Sequence, residues 1–320
     1  MKRRGIIILI PLFFFVAFIS LTVWLLKEED KKSRVIVVLP QLDTEYWRLL
    51  ESGAKTAFND FNIDGKVIVI APGSLDSTIN QSNILEQVLN QNPDALITAS
   101  AELSASVPAL NTFKQKSIPV FFASTDMESE YQTSYIGTNN ITLGKTAGEL
   151  LASMLQPGDQ AAIIHPSLYD PVMINRRDGA KKVLQNAGIK IVTESIDNEQ
   201  FGHPEIIIEN TLQTYPNIKG IFATTDQIAL EALKVTDEKK LKIPVIGADG
   251  LTAMIKTIKA GKVDATVAQN PYDIGYLSVE QAQKALKGER TEERIDTEID
   301  IITKDNATEQ MDFIEENTTG

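Results

Sequence analysis

Two apolar runs in the last third of the chain each end on a polar residue. The run "VIGAD" ends on Asp249, and the run "ATVAQ" ends on Gln269. Continuous Val, Ile and Ala without polar alternation indicate buried parallel strands. A carboxylate accepts hydrogen bonds from several donors, whereas an amide both donates and accepts. At the ends of buried strands, these two side chains are suited to binding a polar ligand.

Other hydrogen-bonding residues follow the remaining apolar runs. They are residues 41–47, Ser74, Ser100, residues 124–126, His165, Thr225 and Asp226. Open parallel sheets bind ligands outside the carboxyl ends of their strands, where the connections diverge. The alternative is that such residues cap the helices that follow them, and we favour capping for Ser74, Ser100 and Asp226. Because Asn-Pro follows Gln269, we expect it to open no helix, which makes a capping role weak there.

Past residue 34, short Val- and Ile-rich runs alternate with segments of helical periodicity. Five runs, from "RVIVVLP" to "SYIG", are followed by six more, from "AAIIHP" to "IDIITK". One doubly wound sheet of that width is less favourable than two smaller sheets. The predicted fold class is therefore α/β, with two doubly wound parallel-sheet lobes.

The N-terminus carries a candidate membrane segment. Lys2, Arg3 and Arg4 precede 22 uncharged, mostly apolar residues, Gly5–Leu26. As a helix this run spans roughly 30 Å, the thickness of the hydrocarbon core of a bilayer. We favour an uncleaved anchor over a cleaved signal peptide, because the small-x-small cleavage motif is poor. The cations keep the N-terminus in the cytoplasm and place the rest outside, and residues 27–33 are a linker.

Composition excludes several classes of protein. The chain has no cysteine, so disulfides, a thiolate nucleophile and a lipid-modified cysteine are impossible. The net charge is −12, and no basic stripe interrupts the acidic surface, which argues against nucleic-acid binding. The two histidines have no metal-binding spacing, and there is no phosphate loop or nucleophile elbow. The single feature in favour of catalysis is the carboxylate pair Asp126 and Asp249, which is a candidate hydrolase pair. Because no other catalytic motif accompanies it, we expect no enzyme, metal or cofactor.

Several motifs in register resemble a known family. They are "YIGTNNITLGKTAGELL", "RRDGAKKVL", "NIKGIFATTDQIALEALKV", "IPVIGADG" and "IKAGKVDATVAQNPYDIGYLSVEQAQKALKGE". From about Val35 to Asn306 the chain resembles the type I periplasmic sugar-binding proteins of the ribose- and galactose-binding group. It is also similar to the sensor half of lactose-repressor-type regulators, but a membrane segment stands where their DNA-binding head would be.

The resemblance implies two lobes that close on a ligand by a hinge motion. The chain would cross between them near residues 138–140, 269–271 and 298–303. The N-terminal lobe would then comprise residues 34–138 and 271–297, and the C-terminal lobe residues 139–270 and 298–306. Residues 307–320 are polar and acidic, and we expect them to form a tail.

The resemblance also assigns ligand contacts, one position at a time. The matching positions are Asp249 in "GADG", Gln269 in "ATVAQ", Arg176 in "RRDG", and the aromatic residues Tyr46 and Trp47. The positions that depart from the ribose binders are Thr44, Thr225, and Ser124 and Thr125 with Asp126 one step beyond, which puts ribose itself in doubt.

Some of these positions have a second interpretation. Trp47 and Tyr46 can belong to the lobe core instead of forming a platform for a sugar ring. Arg176 can form a surface ion pair, and Arg177 can take its place. His165 can donate to a ligand hydroxyl or be a loop histidine. Phe201 lies near the place of a family cleft aromatic.

These features predict an extracytoplasmic, membrane-anchored carbohydrate-binding protein for a monosaccharide-like sugar or polyol. A membrane partner would recognise its closed form. We favour a sensor histidine kinase as that partner, because the segment is long enough for an anchor and the chain lacks the cysteine of a lipoprotein. The alternative is that the protein is the binding subunit of a sugar ABC importer and docks on its permease.

Overall fold

The computed structural model describes residues 33–40, 42, 44–69, 77–99, 106–126, 129–166, 170–196 and 204–318. The predicted anchor, residues 5–26, and all of the linker except Ser33 lie outside these ranges, as does Phe201. Within the ranges, no helix combines the length and apolar character needed to cross a bilayer.

The first lobe is built on a six-stranded sheet of Val-, Ile- and Phe-rich strands. In chain order its elements are β1 (Arg34–Leu39), α1 (Glu45–Asp60), β2 (Asp64–Val69), α2 (Ser77–Leu89), β3 (Ala95–Thr98), α3 (Val107–Gln115), β4 (Val120–Ala123), β5 (Ser134–Thr138), α9 (Pro271–Leu286) and β11 (Arg294–Thr297). The strand order is β11-β5-β4-β3-β1-β2, and every pair is parallel. Helices cover both faces, which explains the unbroken apolar runs.

The second lobe repeats this architecture. Its elements are α4 (Asn140–Ser153), β6 (Gln160–His165), α5 (Pro171–Asn186), β7 (Lys190–Ile196), α6 (Pro204–Thr214), β8 (Ile218–Ala223), α7 (Asp226–Glu238), β9 (Val245–Asp249), α8 (Thr252–Lys259), β10 (Ala265–Ala268), β12 (Asp300–Thr303) and α10 (Ala307–Thr318). The strand order is β12-β10-β9-β8-β6-β7. The predicted two-lobed α/β fold is therefore confirmed.

Three short connections join the lobes. The chain passes from β5 to α4 at residues 138–140, from β10 to α9 at residues 268–271, and from β11 to β12 at residues 297–300. Strand β12 enters the second sheet from the side of the first lobe, so it pairs with β10 in the antiparallel sense. This pair is an exception to the all-parallel sheets that we predicted.

The structure corrects two local predictions. Asn-Pro after Gln269 does open a helix, because α9 begins at Pro271 and proline suits the first helical position. Residues 307–318 form helix α10 and not a simple tail. Ala307, Met311 and Ile314 lie on one stripe of α10 and pack into the core of the second lobe. Because polar and acidic residues predominate in this segment, its three spaced apolar residues did not indicate a packed helix.

Paired glycines bring two helices together in each lobe. In the first lobe, a Cβ atom on Gly53 of α1 would overlap the carbonyl oxygen of Tyr272 in α9, and one on Gly275 would overlap the carbonyl oxygen of Leu50. In the second lobe, Gly144 of α4 approaches the backbone of Arg176 in α5 in the same way. Each lobe therefore has one helix pair whose backbones are in direct contact.

We predict that Gly53→Ala destabilises the protein even though alanine favours helix formation by about 1 kcal/mol. Overpacking of this kind costs roughly 1–3 kcal/mol, because α1 and α9 must move apart. Denaturant unfolding measures the free-energy difference. Asn59→Ala, at an exposed position of the same helix, is the control. A Gly53→Ala variant as stable as the wild type would contradict the close helix contact.

Candidate ligand-binding site

Asp249 ends strand β9 and shares one carboxylate oxygen between two donors. Its Oδ1 atom accepts hydrogen bonds from Arg176 Nη1 and from Gln269 Nε2, both at 2.8 Å. Its φ angle is 127°, a conformation that residues with a side chain rarely adopt. The side chain is 18% exposed. Among the residues that the structure describes, no protein donor bonds Oδ2, so this oxygen can accept from a ligand.

Arg176 is the most completely fixed member of the site. Helix α5 begins with Asp170 as its N-cap, followed by Pro171, and carries Arg176 towards the strand ends. The side chain is 1% exposed. Besides Asp249, its guanidinium donates from Nε to Asn140 Oδ1 at 2.9 Å and from Nη1 to the carbonyl oxygen of Thr224 at 2.7 Å. Each bond restricts the guanidinium plane, so its geometry is set without a ligand.

The neighbouring Arg177 has a different environment. It forms ion pairs with Asp178 at 2.7 Å and with Glu194 at 3.5 Å. These contacts hold its guanidinium against β7 and the outside of α5. The two arginines therefore do not exchange places in this structure.

Tyr46 and Ser124 approach from the first lobe. The Tyr46 hydroxyl donates to Ser124 Oγ at 2.8 Å. The pKa of Tyr46 is raised to about 12, chiefly by burial and slightly by Asp249, while the Ser124 hydrogen bond and the positive charge of Arg176 act in the opposite direction. Tyr46 lines one cavity with Asp249 and Gln269 of the second lobe, so its phenol lies between the lobes.

Trp47 lies beside Tyr46 but is oriented differently. The two rings meet edge to face, with centroids 4.9 Å apart and planes at 89°. Both partly buried rings pack against the core of the first lobe. Trp47 therefore packs in the lobe core, which was the alternative to a role as a platform for a sugar ring. Tyr46 combines core packing with a hydroxyl bonded to Ser124.

The remaining predicted residues surround this network. Thr44 precedes α1, is exposed, and makes no side-chain cap bond. Asp126 pairs with Arg294 of β11, with 2.5 Å between Oδ2 and Nη2. His165 ends β6 and is 1% exposed. Thr225 is the N-cap of α7, and its Oγ1 atom accepts from the backbone N–H of Ile228 at 3.3 Å.

Two cavities adjoin the network. One, with an empty volume of about 520 Å³, is lined by Tyr46, Asp249 and Gln269 together with residues of α9 and α10. The other, about 780 Å³, is lined by Ser124 and Asp126 of the first lobe and by Asn140 and residues of α5 from the second. Both cavities therefore lie between the lobes, with polar site residues in their walls.

Asp226 has a role that the sequence reading missed. We predicted it as a helix N-cap, but the neighbouring Thr225 is the cap. The Asp226 side chain is fully buried and accepts from the N–H groups of Gly250 at 2.7 Å and Leu251 at 2.8 Å, and from the hydroxyl of Thr266 at 2.5 Å. Asp226 therefore holds the two residues that follow Asp249.

The space for Asp226 depends on a glycine. A Cβ atom at Gly247 in "GADG" would overlap Asp226 Oδ1. The pKa of Asp226 is raised to about 7, chiefly by burial and also by the nearby carboxylate of Asp249, while its three hydrogen bonds act in the opposite direction. The glycine and the acid, 21 positions apart, are thus parts of one arrangement.

Asn140 and Glu45 were also absent from the predicted site. Asn140 is the first residue of α4, directly after a crossing between the lobes, and its Nδ2 donates to the carbonyl oxygen of Thr138 at 3.1 Å. Glu45 Oε1 accepts from the N–H of Thr252 at 2.8 Å. The place of Asn140 at a predicted crossing between the lobes could have indicated its role. Glu45 offers no such indication, because acidic residues are common in the first turn of a helix.

Comparisons with known proteins agree with this architecture. A family model described as a periplasmic binding protein domain matches residues 35–290. The chain is 27% identical over 274 residues to the ribose import binding protein of Haemophilus influenzae, covering 84% of this chain and 91% of that protein. It is 26% identical over 290 residues to the D-ribose/D-allose-binding protein of Pseudomonas aeruginosa, covering 86% and 90%.

Solved structures show the same fold. GanP, a glucose-galactose binding protein from Geobacillus stearothermophilus, superposes with a TM-score of 0.77 at 28% identity, covering 86% of this chain and 99% of that one. A solute binding protein from Burkholderia graminis in complex with D-arabinose superposes with a TM-score of 0.78 at 26% identity, covering 88% and 98%. Since the family model matches most of its length, the chain belongs to the periplasmic binding protein domain family.

Proposed function

We propose that this protein is an extracytoplasmic binding protein that closes its two lobes on a monosaccharide-like sugar or polyol. The observation that carries the proposal is the bonding of Asp249. Arg176 and Gln269 donate to one of its oxygens, and the other oxygen has no protein donor in the described part of the chain. The names of its relatives, which bind ribose and allose, support the same class of ligand.

The chemistry of a sugar matches these groups. Each hydroxyl both donates and accepts, so it can donate to Asp249 and accept from Gln269 or Arg176. Hydrogen bonds to charged groups contribute roughly 1.5–3 kcal/mol each, and micromolar binding requires about 8 kcal/mol. Three or four such bonds, with a ring face packed on Tyr46, are therefore sufficient.

The second lobe holds its binding groups in place before any ligand arrives. Asn140 and Thr224 fix the guanidinium of Arg176, and Asp226 fixes the backbone after Asp249. A site that is ordered in advance loses less conformational entropy on binding. The proposed selectivity for a small polyhydroxylated ligand follows from this rigidity.

The proposal does not extend to ribose as the ligand. Thr44, Ser124 and Thr225 stand where ribose binders of the family have other contact residues, and Thr225 is occupied as a helix cap. Asp126 forms its ion pair with Arg294, which comes from β11 next to a crossing between the lobes. We propose that these positions adapt the site to a different arrangement of hydroxyls.

We propose an ABC permease as the membrane partner. Several relatives are named import binding proteins, and the solved structures include solute binding proteins of ABC transporters. A sensor histidine kinase is the second candidate, favoured by the 22-residue uncharged segment Gly5–Leu26 and by the absence of cysteine. Both partners would recognise the closed form.

Fractionation of cells that express the full chain separates the two partner models. A protein that keeps residues 5–26 and sediments with membranes would support an anchored subunit, as the kinase model requires. A processed protein in the soluble extracytoplasmic fraction would remove the basis for the kinase model.

Thermal unfolding with a panel of pentoses, hexoses and polyols tests the binding function. A ligand at one hundred times its dissociation constant should stabilise the folded protein by about 2.7 kcal/mol and raise its midpoint. If the folded, ligand-free protein showed no shift with any carbohydrate, the proposed function would be wrong.

We predict that Asp249→Asn weakens binding of the stabilising sugar at least about tenfold, because the charge that accepts from the ligand is lost. Asparagine keeps an acceptor for Arg176 and tolerates a positive φ better than alanine. The measurement is the ligand-dependent shift in the unfolding midpoint. Asp264→Asn, at an exposed position of the same lobe, should retain the full shift. An unchanged shift in Asp249→Asn would refute the assignment of this carboxylate.

A separate prediction concerns the pH dependence of stability. The pKa of Asp226 is about 7 in the folded protein, compared with an ordinary value of 3.8 that applies to the unfolded chain. Between these two pH values the folded state holds a proton on Asp226 that the unfolded state has released. Its contribution to the free energy of unfolding therefore falls as pH rises from about 4 to about 7, by at most roughly 1.4 kcal/mol per pH unit. Asp226→Asn should lack this loss, because the neutral amide does not titrate.

Denaturant unfolding of the wild type and Asp226→Asn from pH 4 to pH 8 measures the difference. Wild-type stability should decline relative to the variant as pH rises. The exposed Asp264→Asn variant should follow the wild-type profile. A difference of the opposite sign would mean that burial does not dominate at Asp226.

A further inference from the structure

Helix α8 begins without a cap of its own. Leu251 occupies the N-cap position and makes no side-chain cap bond. The first N–H groups of any helix lack acceptors within the helix and must find them elsewhere. At the start of α8, two carboxylates from distant parts of the chain serve as acceptors, one for the two residues before the helix and one for its first residue.

One carboxylate belongs to the same lobe as α8. Asp226 accepts from the N–H groups of Gly250 and Leu251, the two residues before the helix. Because Asp226 and α8 are both packed within the second lobe, this contact persists when the lobes move.

The other carboxylate comes from the first lobe. Glu45, the first residue of α1, accepts from the N–H of Thr252, the first residue of α8, at 2.8 Å. The two residues are 207 positions apart in the chain. This hydrogen bond crosses between the lobes, so it exists only while they are together.

The surroundings of Glu45 show that the contact is part of a packed interface. One turn further along α1, Leu49 is 6% exposed and belongs to the core cluster of the second lobe, with Ala268, Ile302 and Ile314. Helix α10 of the second lobe also packs on α1. The Glu45 bond therefore lies beside a patch of apolar surface that is covered when the lobes meet.

We propose that Glu45 is a positioning residue that caps helix α8 only in the closed form and thereby sets the fraction of closed protein. On opening, the carboxylate and the Thr252 N–H both return to water, and α8 loses a negative charge at the positive end of its dipole. Closing restores a charge-assisted hydrogen bond. Glu45 also lines the cavity that contains Tyr46, Asp249 and Gln269, so its effect on closure is measured without ligand.

The consequence for ligand affinity rests on the proposed function. A ligand that binds the closed form has an apparent dissociation constant equal to the intrinsic value divided by the closed fraction. Loss of the Glu45 bond therefore weakens binding by the factor by which the closed fraction falls, which approaches about tenfold when the open form predominates without ligand.

Two variants remove the bond from opposite sides. Glu45→Ala removes the acceptor. Thr252→Pro removes the donor at the first helical position, where proline is well tolerated, and Leu251, with φ of −67° and ψ of 144°, already has the backbone conformation that precedes proline. Glu51→Gln is the control, because Glu51 on the same helix pairs with Lys55 and not with the second lobe.

Pulsed electron spin resonance on the full chain measures the lobe separation. The chain has no cysteine, so Lys116→Cys in the first lobe and Lys182→Cys in the second give two unique exposed labelling sites. Without ligand, Glu45→Ala and Thr252→Pro should each raise the ratio of open to closed protein about tenfold. The double variant should show no further increase, because both changes remove one bond. Glu51→Gln should match the wild type.

Unchanged distances in both single variants, or effects that multiply in the double variant, would overturn the inference. Titration with D-ribose and D-allose gives a second readout that depends on the proposed function. If the distances respond and neither sugar nor any other carbohydrate binds, the capping role stands and the proposed function fails. If a sugar binds and the distances do not respond, the proposed function stands and the capping role is wrong.

Discussion

The proposed binding site depends on how the Asp249 carboxylate is held at the end of β9. The residue has a φ of 127°, and backbone strain of this kind costs roughly 1–3 kcal/mol. Bonds on both sides offset that cost. Asp226 accepts from the two N–H groups that follow Asp249, while Arg176 and Gln269 donate to one of its oxygens. The strained backbone is therefore stabilised by the same residues that orient the carboxylate.

The buried charge of Arg176 explains why so many polar groups gather there. Removal of one partner from a buried ion pair typically costs about 3–5 kcal/mol, because the remaining charge is uncompensated. Arg176 meets this requirement with Asp249, Asn140 and the carbonyl oxygen of Thr224. Asn140 begins α4 immediately after a crossing between the lobes. Arg176 is therefore bonded to a residue that directly follows one of the connections between the lobes.

Each lobe is internally tight, and the contacts between the lobes are of another kind. Within a lobe, glycines such as Gly53 and Gly144 let helix backbones touch, which leaves little freedom for internal movement. Between the lobes, Glu45 makes one hydrogen bond to Thr252, and Leu49 packs against apolar residues of the second lobe. This division suits the lobe closure that we propose, in which two rigid bodies move about a few connections.

The sequence alone determined the α/β class, the two lobes and the placement of polar residues at strand ends, because apolar periodicity and the geometry of parallel sheets are local properties. Tertiary structure alone decided which polar residues face each other. Thr225 caps a helix while its neighbour Asp226 turns inward, the acidic segment 307–318 forms a helix on the core, and Glu45 meets Thr252 across 207 positions. The inward turn of Asp226 and the Glu45–Thr252 bond depend on contacts between distant segments, which leave no local pattern in the chain, whereas the short apolar stripe of α10 is obscured by its acidic neighbours.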